Sequence, residues 1–191
     1  MAAEAALEKK ELMRAVETVL DSGRYVLGTE VTAFEQEFAE HCQTKFAVGV
    51  ASGTCALHLV LRGLGLKEGD EVITAPNSFV ASAATVALAG ARPIFVDICE
   101  DGNLDPQRLE DSINHRTRAI VPVHLTGRPA KMVEIMEIAG RHDLFVLEDA
   151  AQALGAELDG KRVGSWGHAA ADALLAQDGF GWDSLCGHDD E

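Results

Sequence analysis

The stretch EVITAPNSFVASAATVALAGARPIFVDI, residues 71–98, reads as strand, helix, strand. An apolar run at 71–76 stops at a proline. A small-residue segment at 78–90 has helical length and ends on a glycine. A second apolar run follows at 92–98. Strands that alternate with helices belong to a largely parallel sheet covered on both faces.

The alternation continues on either side. Upstream, KFAVGV (45–50) reads as a strand and GTCALHLVLRGLG (53–65) as a helix. Downstream, DPQRLEDSI (105–113) reads as a short helix, with Asp105 as N-cap and Pro106 at its first position. RAIVPVHL (118–125) is a strand, PAKMVEIMEIAGRH (129–142) a helix, and LFVLED (144–149) the last strong strand. AELDGKRVG (156–164) reads as a hairpin turning at Asp159-Gly160. Two helices open the chain, near 6–20 and 31–41, and the second carries Phe34 and Phe38 on one face. The strands are continuously apolar, as burial on both faces requires. The expected fold is therefore α/β and three-layered, with helices on both faces of the sheet.

The 191 residues suffice for one domain with a real core. Apolar content of 47% and charged content of 25% fit a globular protein. A net charge of −15 argues against a nucleic-acid partner. No apolar run approaches the roughly 20 residues of a membrane span. The N-terminus is charged and helix-like rather than ordered as a signal peptide, so a cytoplasmic location is expected. The four cysteines are scattered and show no zinc spacing, and the histidines no metal motif, so no metal is expected. Residues 172–191 differ from the rest. They hold six acids and no Lys or Arg, leaving 25 acids against 16 bases before them. They lack a helical or strand period and are expected to form a divergent, disordered tail.

In open α/β sheets ligands gather beyond the carboxyl ends of the strands. Three stretches are expected there. Ser52, Gly53 and Thr54 open the helix after 45–50, where free N–H groups and the helix dipole suit a phosphate; a plain N-cap explains them as well. Phe79 follows the strand 71–76 and either stacks on a flat ring or packs in the core. In FVLEDAAQALGA (145–156) an apolar run stops at two acids. Asp149 there either pairs with a protonated ring nitrogen or caps a helix, and Gln152 either donates to a ring oxygen or faces solvent. Two further candidates are substrate contacts: Tyr25, which lines a pocket or covers the first helix, and His124, which touches substrate or sits satisfied in the core. A phosphate site, an aromatic plate and a carboxylate for a ring nitrogen together match the needs of pyridoxal 5′-phosphate.

With these motifs in this order, the chain resembles the DegT/StrS-type sugar aminotransferases over about residues 7–171. The matching segments include SGRYVLGTEVTAFEQEFA, VASGTCALHLVLRGLGLKEGDEVITAPNSFVASAATV and EDAAQALGAELDGKRVGSWGHAAA. The resemblance implies the type I fold of aspartate aminotransferase, with residues 1–171 forming an N-terminal segment and an incomplete cofactor-binding domain. It implies a pyridoxal phosphate cofactor, with Ser52, Gly53 and Thr54 at its phosphate. Phe79 would lie on its ring, Asp149 at its pyridine nitrogen and Gln152 near its ring oxygen. It further implies a homodimer that moves an amino group, commonly from glutamate, to a nucleotide-linked keto-sugar.

The chain departs from the family after GSWGHAAA. The resemblance places the Schiff-base Lys near 177–178, where this sequence has Gln177 and Asp178; its last Lys is Lys161. The family's smaller C-terminal domain does not follow either. DALLAQD, reread one nucleotide later, can encode Thr-Leu-Phe-Ser-Pro-Lys-Thr, so a frameshifted gene is one account and a truncation with an unrelated tail another. The expectation is an aminotransferase chain inactive by itself. The alternative is a non-catalytic cofactor- or sugar-binding module, or a partner for a complete subunit.

Overall fold

The computed structural model describes residues 2–173, which form two compact units dividing between Gly49 and Val50. The first unit holds helices α1 (Ala2–Ser22) and α2 (Thr29–His41). On α2 the rings of Phe34 and Phe38 stack with centroids 5.5 Å apart, as their i, i+4 spacing allows. The expected strand at 45–50 is absent. No strand among the described residues pairs with it, and an unpaired extended segment leaves its backbone groups to other partners. The Gly49 N–H accordingly donates to Glu35 Oε1 at 2.7 Å.

The second unit is built on a five-stranded parallel sheet. Helix α3 (Gly53–Gly63) leads to β1 (Glu71–Thr74), α4 (Val80–Leu88), β2 (Arg92–Phe95), α5 (Pro106–Leu109), β3 (Thr117–Val121), α6 (Met132–His142) and β4 (Phe145–Asp149). A small hairpin of β5 (Glu157–Leu158) and β6 (Lys161–Arg162) and a last strand β7 (Ala169–Ala171) complete it. The sheet order is β2-β1-β3-β4-β7.

Strand side chains alternate between faces, and two cores result. Val72, Val121 and Leu147 meet Leu57 and Leu61 of α3 and Val86 of α4 on one side. Ile73, Ile120 and Val146 meet Met132, Ile135 and Ile138 of α6 on the other. This is the three-layer arrangement expected from the sequence. Strand β2 is an exception to two-sided burial: it forms an edge and exposes Arg92 and Phe95. The hairpin turns where expected, with Asp159 and Gly160 both at positive φ.

The alanine strand β7 is the element that sequence reading missed, having ended the strong strands at 144–149. Three alanines have little strand propensity, and long-range bonds set them in place. The β4 residue Glu148 is fully buried and accepts the N–H groups of Gly164 (2.8 Å) and Gly167 (2.7 Å). His168 exchanges two bonds with Val146, its N–H reaching Val146 O and its Nδ1 accepting Val146 N–H. The chain then runs parallel to β4, with Asp149 opposite Ala171.

Gly167 lies so close to β4 that an added Cβ would sit 2.8 Å from the Val146 carbonyl oxygen. Gly167→Ala is expected to destabilise the chain by about 2 kcal/mol or more in urea melts. Gly140→Ala, on α6 where a Cβ meets nothing within 4 Å, is expected to stabilise it by about 0.5–1 kcal/mol. A Gly167→Ala chain as stable as the parent would contradict this packing.

Candidate functional site

The last strand turn of β4 places two acids on opposite faces. Glu148 turns to the face of α6, where His124 Nε2 also lies 2.9 Å from Oε2. His124 Nδ1 accepts the Ala130 N–H at 3.0 Å, which puts the ring proton on Nε2 and makes it a donor to Glu148. Three donors thus satisfy a carboxylate with no exposure, as burial of a charge demands. His124 is itself fully buried with both ring nitrogens engaged. The expectation that it touches substrate is corrected: no polar atom of its ring remains for one.

Asp149 turns to the face of α3 and α4 and is 6% exposed. Its Oδ2 accepts the Ser82 hydroxyl at 2.7 Å. Among the described residues its Oδ1 has only the Ala151 N–H, at 3.5 Å. Burial pushes this carboxyl above the usual range, and the Ser82 hydroxyl opposes that push. A buried carboxylate with one oxygen so weakly held has room for a further donor.

Ser52 caps α3, its hydroxyl accepting the Cys55 N–H at 3.2 Å. Gly53 is crowded: an added Cβ would meet Ala173 Cβ at 3.3 Å, Asp172 O at 3.6 Å and Ala151 Cβ at 3.8 Å. The start of α3 therefore lies against the residue two positions after Asp149. Phe79 is the N-cap of α4 and 69% exposed, so it is not a core residue of this unit. Gln152 is exposed, and its Oε1 accepts the Thr126 N–H at 2.9 Å, which leaves Nε2 as the donating end. Tyr25 belongs to the first unit, where it is 67% exposed and its hydroxyl lies 3.5 Å from Leu20 O. Gln177 and Asp178 lie outside the described residues.

Sequence reading missed Ser82 and Asp172. Ser82 is one turn inside α4, fully buried, at a position that reads as an ordinary small helical residue. Asp172 follows β7 and counted only as tail acidity. Its Oδ2 is 3.4 Å from where a Cβ on Gly164 would sit, beside the loop that Glu148 holds. Burial, with Glu148 and then Asp149 as like-charged neighbours, pushes the Asp172 carboxyl up to about 7.

The sequence profile of the DegT/DnrJ/EryC1/StrS aminotransferase family matches residues 6–173. The chain is 50% identical over 164 residues to the dTDP-3-amino-3,4,6-trideoxy-alpha-D-glucose transaminase of Streptomyces venezuelae, covering 85% of this chain and 43% of that protein. It is 46% identical over 155 residues to the UDP-2-acetamido-2-deoxy-3-oxo-D-glucuronate aminotransferase of Pseudomonas aeruginosa, covering 81% of this chain and 43% of that one. Among solved structures, S. venezuelae DesV in complex with a ketimine intermediate superposes with a TM-score of 0.83 at 49% identity, covering 85% of this chain and 44% of that chain. The chain thus spans less than half the length of these relatives.

The raised carboxyl of Asp172 carries a pH signature. Its folded value lies above the ordinary 3.8, so the unfolded chain ionises first and stability falls as pH rises from about 4 to about 7. Asp172→Asn removes that fall. Its gain in stability over the parent is expected to grow by about 2–3 kcal/mol between pH 5 and pH 8. A gain equal at both pH values, measured by urea melts, would contradict the assignment.

Proposed function

Because the chain belongs to the DegT/DnrJ/EryC1/StrS aminotransferase family, we propose that it carries the cofactor-facing part of a pyridoxal 5′-phosphate aminotransferase of nucleotide-sugar metabolism. In this reading the substrate is a keto-sugar linked to a nucleotide, the amino donor is glutamate, and the working assembly is a cytoplasmic homodimer. The observation that supports it best is Asp149: a carboxylate buried at the end of a central strand, with Oδ2 held by Ser82 and Oδ1 left for a donor. No helix among the described residues is long and apolar enough to cross a membrane.

The residues present fit the cofactor. Asp149 would accept the pyridine N–H, and a nearby carboxylate keeps that nitrogen protonated. Gln152 Nε2 would donate to the ring oxygen, since its Oε1 is fixed on Thr126. Phe79, exposed at the start of α4, would cover one face of the ring. The Gly53 and Thr54 N–H groups, with the Ser52 hydroxyl proton, would receive the phosphate at the positive end of α3. When bound, pyridoxal phosphate supplies an electron sink for the amino-group transfer.

The proton-transfer lysine is the piece this sequence lacks. Its last lysine, Lys161, sits in the hairpin with Nζ 4.6 Å from the centre of the Trp166 ring. A lysine so placed belongs to the hairpin's own packing. We therefore expect the 191-residue chain to bind the cofactor without turning over by itself. A second reading, a non-catalytic module that pairs with a complete subunit, rests on the same missing lysine and on the chain's coverage of under half its relatives.

Pyridoxamine 5′-phosphate tests the site because it needs no lysine. It is expected to bind saturably by fluorescence titration, and Asp149→Ala is expected to weaken it about tenfold or more. No transamination is expected with glutamate and a nucleotide-linked keto-sugar. Binding indifferent to Asp149 would overturn the cofactor reading. Turnover by the chain alone would overturn the expected inactivity, and heterodimers with a full-length relative would favour the second reading.

A further inference from the structure

We infer that Ser82 is a positioning residue for Asp149: its hydroxyl takes Oδ2 and so presents Oδ1 to the ring nitrogen of the cofactor. The inference rests on the cofactor reading above for the identity of the ligand, and on geometry for the rest.

Ser82 is fully buried on α4, one turn after Phe79. Its oxygen lies 2.7 Å from Asp149 Oδ2 and 3.2 Å from Phe79 O. A hydroxyl has one proton, and the shorter contact to a charged acceptor takes it. Ser78, one turn earlier, lies 3.1 Å from the Ser82 oxygen and can donate into it. The two serines thus form a hydroxyl chain that ends on the carboxylate. Polarisation along such a chain strengthens its last bond.

This chain does two things for the site. It holds the carboxylate rotamer, because leaving Ser82 would cost Oδ2 its close donor and the hydroxyl its charged acceptor. It also ties the carboxylate to the helix that begins with Phe79, whose carbonyl accepts the Ser82 N–H at 3.1 Å. The group that would meet the ring's edge and the group that would cover its face thereby share one element.

Among the described residues, the ionisable groups around Asp149 are Glu148 on its own strand, His124 in the loop after β3, and Asp172 after β7. None of them donates to it at hydrogen-bond distance. The Ser82 hydroxyl is the close donor, and it favours the ionised carboxyl against the push of burial.

The test is a carboxyl titration of the ligand-free full chain, with aspartate carboxyl carbons labelled with 13C and Asp149 assigned through Asp149→Asn. Ser82→Ala is expected to raise the Asp149 midpoint by about one pH unit. Ser82→Thr, which keeps the hydroxyl, should return it towards the parent value, and Ser78→Ala should raise it by less. Melts run alongside separate a lost hydroxyl from a lost fold. An unchanged midpoint in a folded Ser82→Ala chain overturns the inference; should that chain not fold, an unchanged midpoint in Ser78→Ala does so. A second arm compares pyridoxamine 5′-phosphate with its 1-deaza analogue, which has carbon in place of the ring nitrogen. The parent is expected to prefer the former, and Ser82→Ala to narrow that preference several-fold. A parent indifferent to the exchange overturns the cofactor reading, while the titration still decides whether Ser82 holds the carboxylate.

Discussion

Two adjacent acids at the end of a central strand must both be buried, and strand geometry sends them to opposite faces. That constraint organises the second unit. Glu148 turns to the α6 face, where His124 and the N–H groups of Gly164 and Gly167 satisfy it. In doing so it brings the chain back along β4 and lays down β7. Asp149 turns to the α3 and α4 face, where Ser82 takes one of its oxygens and the other is left nearly free. One acid builds the edge of the sheet. The other is left facing the region where α3 and α4 begin.

The contrast with a third buried acid sharpens this assignment. Glu71, at the amino end of β1, is bonded by Asn114 and faces Arg92 and Arg116, which hold its carboxyl below the ordinary range. It is a carboxylate with its charge fully answered, and it lies at the end of the sheet away from the strand carboxyl ends. Asp149 is pushed the other way, by burial with too few donors. An incompletely answered carboxyl at a strand's carboxyl end is the pattern on which the proposed ligand site rests.

Much of the fold was legible because it follows from periodicity and local chemistry. The βαβ alternation, the Asp105 cap, the two-residue turn at Asp159-Gly160 and the face-by-face alternation of Val72 with Ile73 are all short-range patterns. What failed was long-range. The segment 45–50 has the composition of a strand but finds no partner among the described residues, and Ala169–Ala171 has no strand composition yet is held in register by Glu148 and His168. Within the candidate site, the residues at strand ends and helix starts could be named in advance only as candidates. Ser82 could not, because its role depends on a contact across 67 residues of chain. His124 remained ambiguous until Ala130 and Glu148 were seen to use both its nitrogens.

The central claim is that Asp149 meets a protonated pyridine nitrogen. Nitrogen NMR of pyridoxamine 5′-phosphate labelled with 15N in the ring, bound to the full chain, tests it most directly. The account predicts a ring nitrogen that stays protonated well above the pH at which the free ligand loses its proton, and that reverts towards free-ligand behaviour in Asp149→Ala. A bound ligand whose nitrogen titrates as it does in water, with or without Asp149, would contradict it.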